Sequence, residues 1–175
     1  MFKEIALAFL LVVATTSVSS ATDAKVAVIN MQKIMDESTA AKDLQAQLEA
    51  KRNSYQASIK AKEEKLRKEE EDLVKQKNIL AKDALEQKQK EFIAEINKVR
   101  KEVQDKRVAL DNAYKQALNE LNKAILQIVS DMAEEKGFNL AFPHSALVYA
   151  SSDFDITADV ITQLNKKLPK VTLKF

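Results

Sequence analysis

The chain has 175 residues, with one Gly, two Pro, one His and no Cys. Its 28 Lys and Arg residues nearly balance 26 Asp and Glu residues, which leaves a net charge of +2. Without Cys there are no disulfides or thiolate metal sites, and one His excludes a multi-histidine centre. One Gly also argues against a glycine-rich phosphate loop. We therefore expect no enzyme, no catalytic or cofactor-binding residues, no metal ligands and no cofactor.

The first 21 residues have the form of an export signal. An apolar run from Ile5 to Ala14 is followed by small residues that end at Ser19 and Ala21. Ten apolar residues are too few to span a bilayer, which requires about 20. Ser19 and Ala21 suit the −3 and −1 positions of a signal peptidase site, so we predict a signal peptide over 1–21. A buried N-terminal helix is the alternative.

The remainder divides by composition into a charged middle and two apolar ends. Residues 42–136 contain no Gly and no Pro and are rich in Ala, Glu, Lys, Leu and Gln, which is typical of long helices. The ends hold a higher share of large apolar residues. We predict a coiled-coil helical arm over 39–136, and a small β-body and trimerisation domain from 22–38 and 137–175.

The arm shows heptad spacing in which one apolar column is incomplete. Ile59, Leu66, Leu73 and Leu80 recur every seven residues, whereas the second column becomes polar from Lys62 onward. Such a narrow stripe buries few side chains per turn. This pattern predicts a flexible arm that is anchored at a thicker base.

We predict that the arm folds back near 78–84 into an antiparallel hairpin. The first helix runs from about 39 to 80, Asn78 helps to end it, and Asp83 begins an Asp-x-x-Glu capping box that can start the second helix. Folding there pairs residues whose numbers sum to about 165, which aligns the apolar columns. The pairing fails where Ile59 would meet Lys106, and a continuous parallel coiled coil is the alternative.

The two ends are predicted to supply strands and one short helix. Val26–Ile29 reads as a buried strand followed by a helical turn, and 138–142 and 146–149 read as two further strands. Gly137 suits a left-handed position after the second arm helix, and Asp155 can cap a last helix over 156–168. The residues expected to form the trimerisation body are Val26, Val28, Ile29, Leu140, Phe142, Leu147, Val148, Ile156, Val160, Ile161 and Leu164.

This order of elements resembles the Skp (OmpH-like) family of periplasmic chaperones. The residues that carry the resemblance are 26–34, Tyr149-Ala150-Ser151-Ser152-Asp153 and 155–160. The resemblance implies an α+β, mostly α fold, in which long antiparallel helical hairpins, or tentacles, hang from a small β-body and assemble as a trimer. It also implies an ATP-independent holdase in the periplasm of a Gram-negative cell. Such a chaperone captures unfolded outer-membrane β-barrel proteins between its arms and prevents aggregation until membrane insertion.

The tip of the arm is expected to bind clients. Between Lys75 and Leu110, ten Lys and Arg residues outnumber six Asp and Glu residues, so the tip carries +4. This excess can steer acidic clients, anionic lipid or lipopolysaccharide, and an ordinary solvated helix surface is the alternative. The predicted client-binding residues are Lys75, Lys77, Ile79, Leu80, Lys82, Lys88, Lys90, Phe92, Ile93, Lys98, Arg100 and Lys101.

The last residues form a tail beyond the final helix. Val171, Leu173 and Phe175 alternate with polar residues, which predicts an edge strand or an end packed on the body. The alternative is a docking signal for the outer-membrane insertion machinery, because the pattern resembles the closing strand of an outer-membrane barrel.

A second function remains open from the sequence, namely a structural or adaptor coiled coil of the cell envelope. A rigid spacer needs both heptad columns to be apolar, whereas this one is polar from Lys62. Nucleic acid is not an expected partner, because the charged stretches lack interleaved aromatic residues for base stacking.

Overall fold

The structure, a computed structural model, describes residues 24–175, so the predicted signal peptide lies outside the described residues. The described chain is mostly helical with one two-stranded sheet, which confirms the predicted α+β, mostly α class. Within 24–175, no helix combines the length and apolar character needed to cross a bilayer. The elements in chain order are β1 (Val26–Ile29), α1 (Met31–Glu37), α2 (Thr39–Gln76), α3 (Lys82–Lys136), β2 (Leu140–Pro143), two 3-10 turns (His144–Ala146 and Ser152–Phe154) and α4 (Thr157–Lys167).

The sheet consists of two parallel strands, β1 and β2, and the whole hairpin lies between them in the chain. Val26 lies opposite Leu140 and Ile29 lies opposite Pro143. A parallel pair requires a long crossover, which α1, α2 and α3 provide. On its other side β1 forms a bridge to Asp155, so β1 is flanked on both edges and its last three residues are buried. The outer strand β2 is exposed along its length.

No strand forms at 146–149, and that prediction is wrong. Residues His144–Ala146 form a 3-10 turn, and the side chains of Val148 and Tyr149 are largely exposed. Asp155 bridges to the second edge of β1, and no strand pairs with the outer edge of β2 within residues 24–175. The apolar run therefore has no strand partner within the described residues.

The helices α2 and α3 pack antiparallel, which confirms the hairpin and excludes the continuous coiled coil. At about 1.5 Å per residue, the 38 residues of α2 span about 57 Å. Within residues 24–175, three side-chain hydrogen bonds join the two helices, and in each the residue numbers sum to 164, one less than predicted: Lys62 with Glu102, Ser58 with Lys106, and Gln76 with Lys88.

The chain reverses between Gln76 and Lys82. The helix α2 ends four residues before the predicted Leu80, and Asn78 lies in the turn. Asp83 does not cap α3, which corrects the predicted capping box. Ala81 is the N-cap, with extended backbone and no side-chain hydrogen bond, and Asp83 lies in the first turn. Its carboxylate still interacts favourably with the positive end of the helix dipole.

The remaining helix boundaries follow the predicted signals. Gly137 adopts the left-handed conformation (φ 74°, ψ 23°) after α3, and its N–H donates to the Ala133 carbonyl at 2.8 Å. At the start of α4, Asp155 Oδ1 accepts hydrogen bonds from the Thr157 N–H at 2.8 Å and from the Thr157 hydroxyl. Asp155 therefore performs the predicted capping role, although Ile156 occupies the N-cap position.

The hydrophobic core lies where the base of the hairpin meets α1, α4 and the tail. Burial then thins along the arm, because Leu48 is the last buried residue of α2, and Val99 is the one buried residue of α3 before Ala113 in the described chain. The arm thus projects from a thick base, as the narrow stripe predicts. The largest fully buried apolar side chains of the core are Ile34, Leu44, Leu121, Ile125, Ile128, Leu164, Val28, Val160 and Val171.

Candidate functional site

The apolar residues near the tip of the hairpin fall into two groups. Leu80 and Phe92 are half-buried along the seam between α2 and α3. Ile79 and Ile93 are 80% and 56% exposed, and Val74 is 67% exposed. The first group completes the hairpin. The second group offers apolar surface to solvent about one arm length from the core.

The cations of the tip are exposed and only partly paired. Within residues 24–175, Lys77, Lys82, Lys90 and Arg100 form no ion pair. Exposed pairs contribute only about 0–1 kcal/mol, so the paired cations are also readily available to another molecule. The pairs at the tip join Lys75 to Asp72 at 3.3 Å, Lys98 to Glu95 at 3.4 Å and Lys101 to Asp105 at 2.6 Å.

An open pocket of about 420 Å³, lined by residues of both helices, lies just below the tip. Leu73 and Phe92 form its apolar part, and charged or amide side chains surround them. This pocket lies where the sequence loses its second apolar column, so few apolar side chains are buried there. Few buried apolar contacts leave the distal arm easier to bend. The polar lining consists of Lys65, Glu69, Asp72, Gln76, Lys88, Glu91 and Glu95.

A cluster of charges occupies the seam midway along the arm. Glu102 accepts from Lys62 and, at 2.8 Å, from Lys106, whose Nζ also donates to Ser58 at 2.9 Å. Hydrogen bonds from Lys106 and then Lys62 lower the pKa of Glu102 to about 2. The Lys106 ammonium also lies 5.2 Å from the ring centre of Tyr55. This cluster explains how the seam accommodates Lys106, which lies opposite Ser58 and not opposite the predicted Ile59.

We expect acid to weaken this cluster. The folded pKa of Glu102 lies below its ordinary value of about 4.3, so the stabilisation is complete above that pH and is lost as the pH falls through about 2. Thermal unfolding followed by helical circular dichroism at pH 6 and pH 2.5 measures it. Glu102→Gln should unfold at a lower temperature than wild type at pH 6 and should change less with pH.

The matched control for this prediction is Glu64→Gln, which makes the same change at an exposed position of α2. It should follow the wild-type pH dependence. An equal pH dependence in Glu102→Gln and wild type would show that the cluster does not stabilise the arm.

Two further carboxylates have shifted pKa values, and both lie in the body. A hydrogen bond from Lys167, followed by one from Gln127, lowers the pKa of Asp131, which ties α4 to α3. Partial burial raises the pKa of Asp155, but hydrogen bonds from Thr157 outweigh this and the net shift is downward. Both carboxylates are therefore ionised at neutral pH, and Asp155 keeps its contact with the start of α4.

The predicted trimerisation residues also divide by burial. Five of them are buried within the chain, namely Val28, Ile29, Val160, Ile161 and Leu164. Three are half-buried, namely Val26, Leu147 and Ile156. Leu140 and Phe142 on β2 are 45% and 38% exposed, and Val148 is fully exposed.

The exposed group surrounds the free edge of the sheet. Phe142 contributes to two apolar grooves, one beside Leu126 and Val129 of α3 and one beside Tyr149 and Phe154. An exposed strand edge next to contiguous apolar surface is a site where another chain binds.

The tail packs against α2 and does not join the sheet, so the predicted packed end is observed and the predicted edge strand is wrong. Gln47 donates from Nε2 to the Val171 carbonyl at 2.8 Å, and Gln47 Oε1 accepts from the Leu173 N–H at 3.1 Å. Val171 and Leu173 are buried, and Thr172 and Lys174 are exposed. The alternation therefore reports burial correctly, but a side-chain amide takes the place of a neighbouring strand.

The ion pair between Lys62 and Glu102 and the contact of Gln47 with the tail were not predicted from the sequence. The pairing of Lys62 with Glu102 was detectable, because opposite charges stand at positions whose numbers sum to 164. The contact of Gln47 with the tail has no local signal, since the two segments are more than 120 residues apart.

Comparisons with known proteins agree with this architecture. The family model described as outer membrane protein (OmpH-like) matches residues 25–164. No curated protein matches the sequence. Among solved structures, the chain is similar to a protein from Caulobacter crescentus CB15 that is proposed to be an outer membrane chaperone (OmpH-like). The match has 19% identity, covers 85% of this chain and 88% of that chain, and has a TM-score of 0.79, which shows the shared fold. Because the family model matches most of its length, the chain belongs to the OmpH-like family.

Proposed function

We propose that the protein is an ATP-independent periplasmic holdase for unfolded outer-membrane β-barrel proteins. It captures clients between helical arms and keeps them from aggregating until membrane insertion. The observation that carries the proposal is the tip, where exposed Ile79 and Ile93 lie among cations that form no ion pair within residues 24–175. Weak apolar contacts combined with long-range attraction suit reversible retention of an unfolded chain.

Three arms around a cavity require a trimer, and we propose that the body forms it. The exposed edge of β2 and the apolar grooves on both sides of Phe142 support this assembly. In the trimer, strand edges and apolar grooves from three chains become covered, which removes surface that is costly to expose to water. Leu140, Phe142 and Val148 are then the interface residues, whereas Val28 and Leu164 hold the body of each chain together.

The charge of the tip supports the choice of partner. Three tips, each with +4 in the sequence, bring about +12 to one end of the assembly. Such a field attracts acidic clients and decays over about 8 Å at physiological salt. Anionic lipid or lipopolysaccharide would be attracted by the same field and stays a further predicted partner.

A structural or adaptor role in the envelope is the second candidate. A spacer that transmits position requires a continuously packed seam. The polar lining of the pocket beside Leu73 and Phe92, and the charged cluster at Glu102, interrupt the apolar seam, which favours the flexible arm of a chaperone. The insertion machinery remains a predicted partner, although the tail, which is the candidate docking signal for it, is packed against α2.

The proposal is tested by diluting a urea-unfolded outer-membrane β-barrel protein into buffer with the processed chain and without nucleotide. At micromolar concentration the protein should suppress the rise in light scattering and should hold the client in a soluble complex. Unchanged scattering, with the client pelleting as it does alone, would contradict the holdase role and would favour the adaptor.

A further inference from the structure

The tail packs along one face of α2, and we call the surface that it covers the groove. Its contacts fall on Gln47, Lys51 and Tyr55, which are spaced at i, i+4 and i+8 and therefore line one face of the helix. From residue 171 to residue 175 an extended chain spans about 13 Å, and from residue 47 to residue 55 the helix rises about 12 Å. The tail thus runs parallel to α2 toward the tip, and its length matches the distance from Gln47 to Tyr55 along the helix.

The groove recognises the tail backbone through one side chain. The Gln47 amide donates to the Val171 carbonyl and accepts from the Leu173 N–H, which is the pairing that a neighbouring strand would offer. Gln47 Nε2 also donates to Asp43 at 2.7 Å, and this bond fixes the orientation of the amide. Because these bonds involve only main-chain groups of the tail, any extended peptide can form them.

Side-chain burial in the groove is confined to alternate positions, and Lys174 forms an exposed ion pair with Glu120 of α3 at 4.0 Å. Val171 and Leu173 are buried, while Thr172 and Lys174 face solvent. At the last position the Phe175 ring lies edge-on to Tyr55, with 6.3 Å between ring centres, and the Lys51 ammonium lies 4.3 Å from the Phe175 ring centre. Phe175 remains 59% exposed, so the end of the tail is held by few contacts.

We propose that this groove is a peptide-binding site for client strands and that the tail occupies it while no client is bound. Its ligand is an extended C-terminal segment with apolar residues at alternate positions and an aromatic last residue. This inference rests on the proposed function, because strands of outer-membrane barrels alternate apolar and polar residues and carry aromatic residues near the membrane interfaces. The tail lies outside residues 25–164, the part of the chain that the family model matches.

The tail competes from within the same chain, which makes the site measurable. A short tether gives the tail an effective concentration in the millimolar range. A free peptide with the sequence of residues 168–175 should therefore bind wild type at least about tenfold more weakly than a chain whose tail is released. Leu173→Asp in the full chain releases the tail, because a carboxylate replaces a buried side chain.

The experiment measures fluorescence anisotropy of that labelled peptide with wild type and with Leu173→Asp. We expect saturable binding to the variant and at least tenfold weaker binding to wild type. Adding Gln47→Ala to the variant should weaken binding at least fivefold. A probe with Ser at the positions of Val171 and Leu173 should not bind. An unfolded β-barrel protein should displace the probe.

A second variant, which lacks residues 170–175, covers the case in which Leu173→Asp disturbs the body. Absence of probe binding by both variants, at wild-type helix content, would show that the tail is only a structural strap. Probe binding that an unfolded barrel does not displace would also overturn the client role of the groove. Probe binding without suppression of aggregation would refute the holdase and leave the groove standing, so the two failures are distinguishable.

Discussion

Replacing Val28 with Asp is expected to abolish the trimer and to unfold the body. Val28 is 2% exposed at the centre of β1, opposite Phe142 and bridged to Asp155. The new carboxylate would be buried without a cationic partner and next to an existing carboxylate, which costs on the order of 3–5 kcal/mol. Solution mass and thermal unfolding of the processed protein measure the effect, and we expect a monomer with a lower melting temperature.

The matched control is Val74→Asp, the same substitution at a site near the tip that is 67% exposed. It should retain the wild-type mass and melting temperature. Phe142→Asp supplies a third variant, since this side chain is exposed on β2 and should weaken assembly while leaving each chain folded. A monomeric wild type would contradict the trimer proposal, and a trimer that Val28→Asp leaves intact would contradict its assembly through the body.

Reversing four cations of the tip is expected to slow client capture at least tenfold at low salt. Changing Lys88, Lys90, Arg100 and Lys101 to Glu takes the tip from +4 to −4, so attraction of acidic clients becomes repulsion. Stopped-flow fluorescence of a labelled unfolded barrel, at several salt concentrations, measures the association rate. The wild-type rate should fall with added salt, and the difference between the two proteins should shrink as screening increases.

The control for this prediction carries the same charge change at the other end of the molecule. Lys42, Lys123, Lys166 and Lys170 are exposed near the base, and their reversal to Glu should alter capture much less. Both variants should remain trimeric. Capture that is equally fast in all three proteins and insensitive to salt would mean that apolar contacts of the arm, and not charge, carry the binding.

The sequence predicted the arm well because its signals are local. A helix often ends at a Gly in the left-handed conformation, so Gly137 marked the end of α3. The apolar columns of the two helices align when the chain folds back at one point, and this alignment predicted the pairing to within one residue. The capping box at Asp83 was wrong by two positions, because α3 begins with Lys82 after an extended Ala81.

The sequence predicted the body less well because its contacts are distant in the chain. The apolar run at 146–149 has the composition of a strand, but it pairs with neither β1 nor β2, and Val148 lies in solvent. Alternation in the tail correctly separated Val171 and Leu173 from their polar neighbours. It could not identify the partner, which is an amide side chain of α2 and not a strand.

Capture of clients by the arm is tested most directly by site-specific photo-cross-linking to an unfolded outer-membrane β-barrel protein. A photoreactive residue at position 79 or 93 near the tip is compared with one at position 162 on α4, all three being exposed. We predict strong client adducts from positions 79 and 93 and little adduct from position 162. Adducts that form equally at all three positions, or mainly at position 162, would contradict the assignment of client binding to the arm.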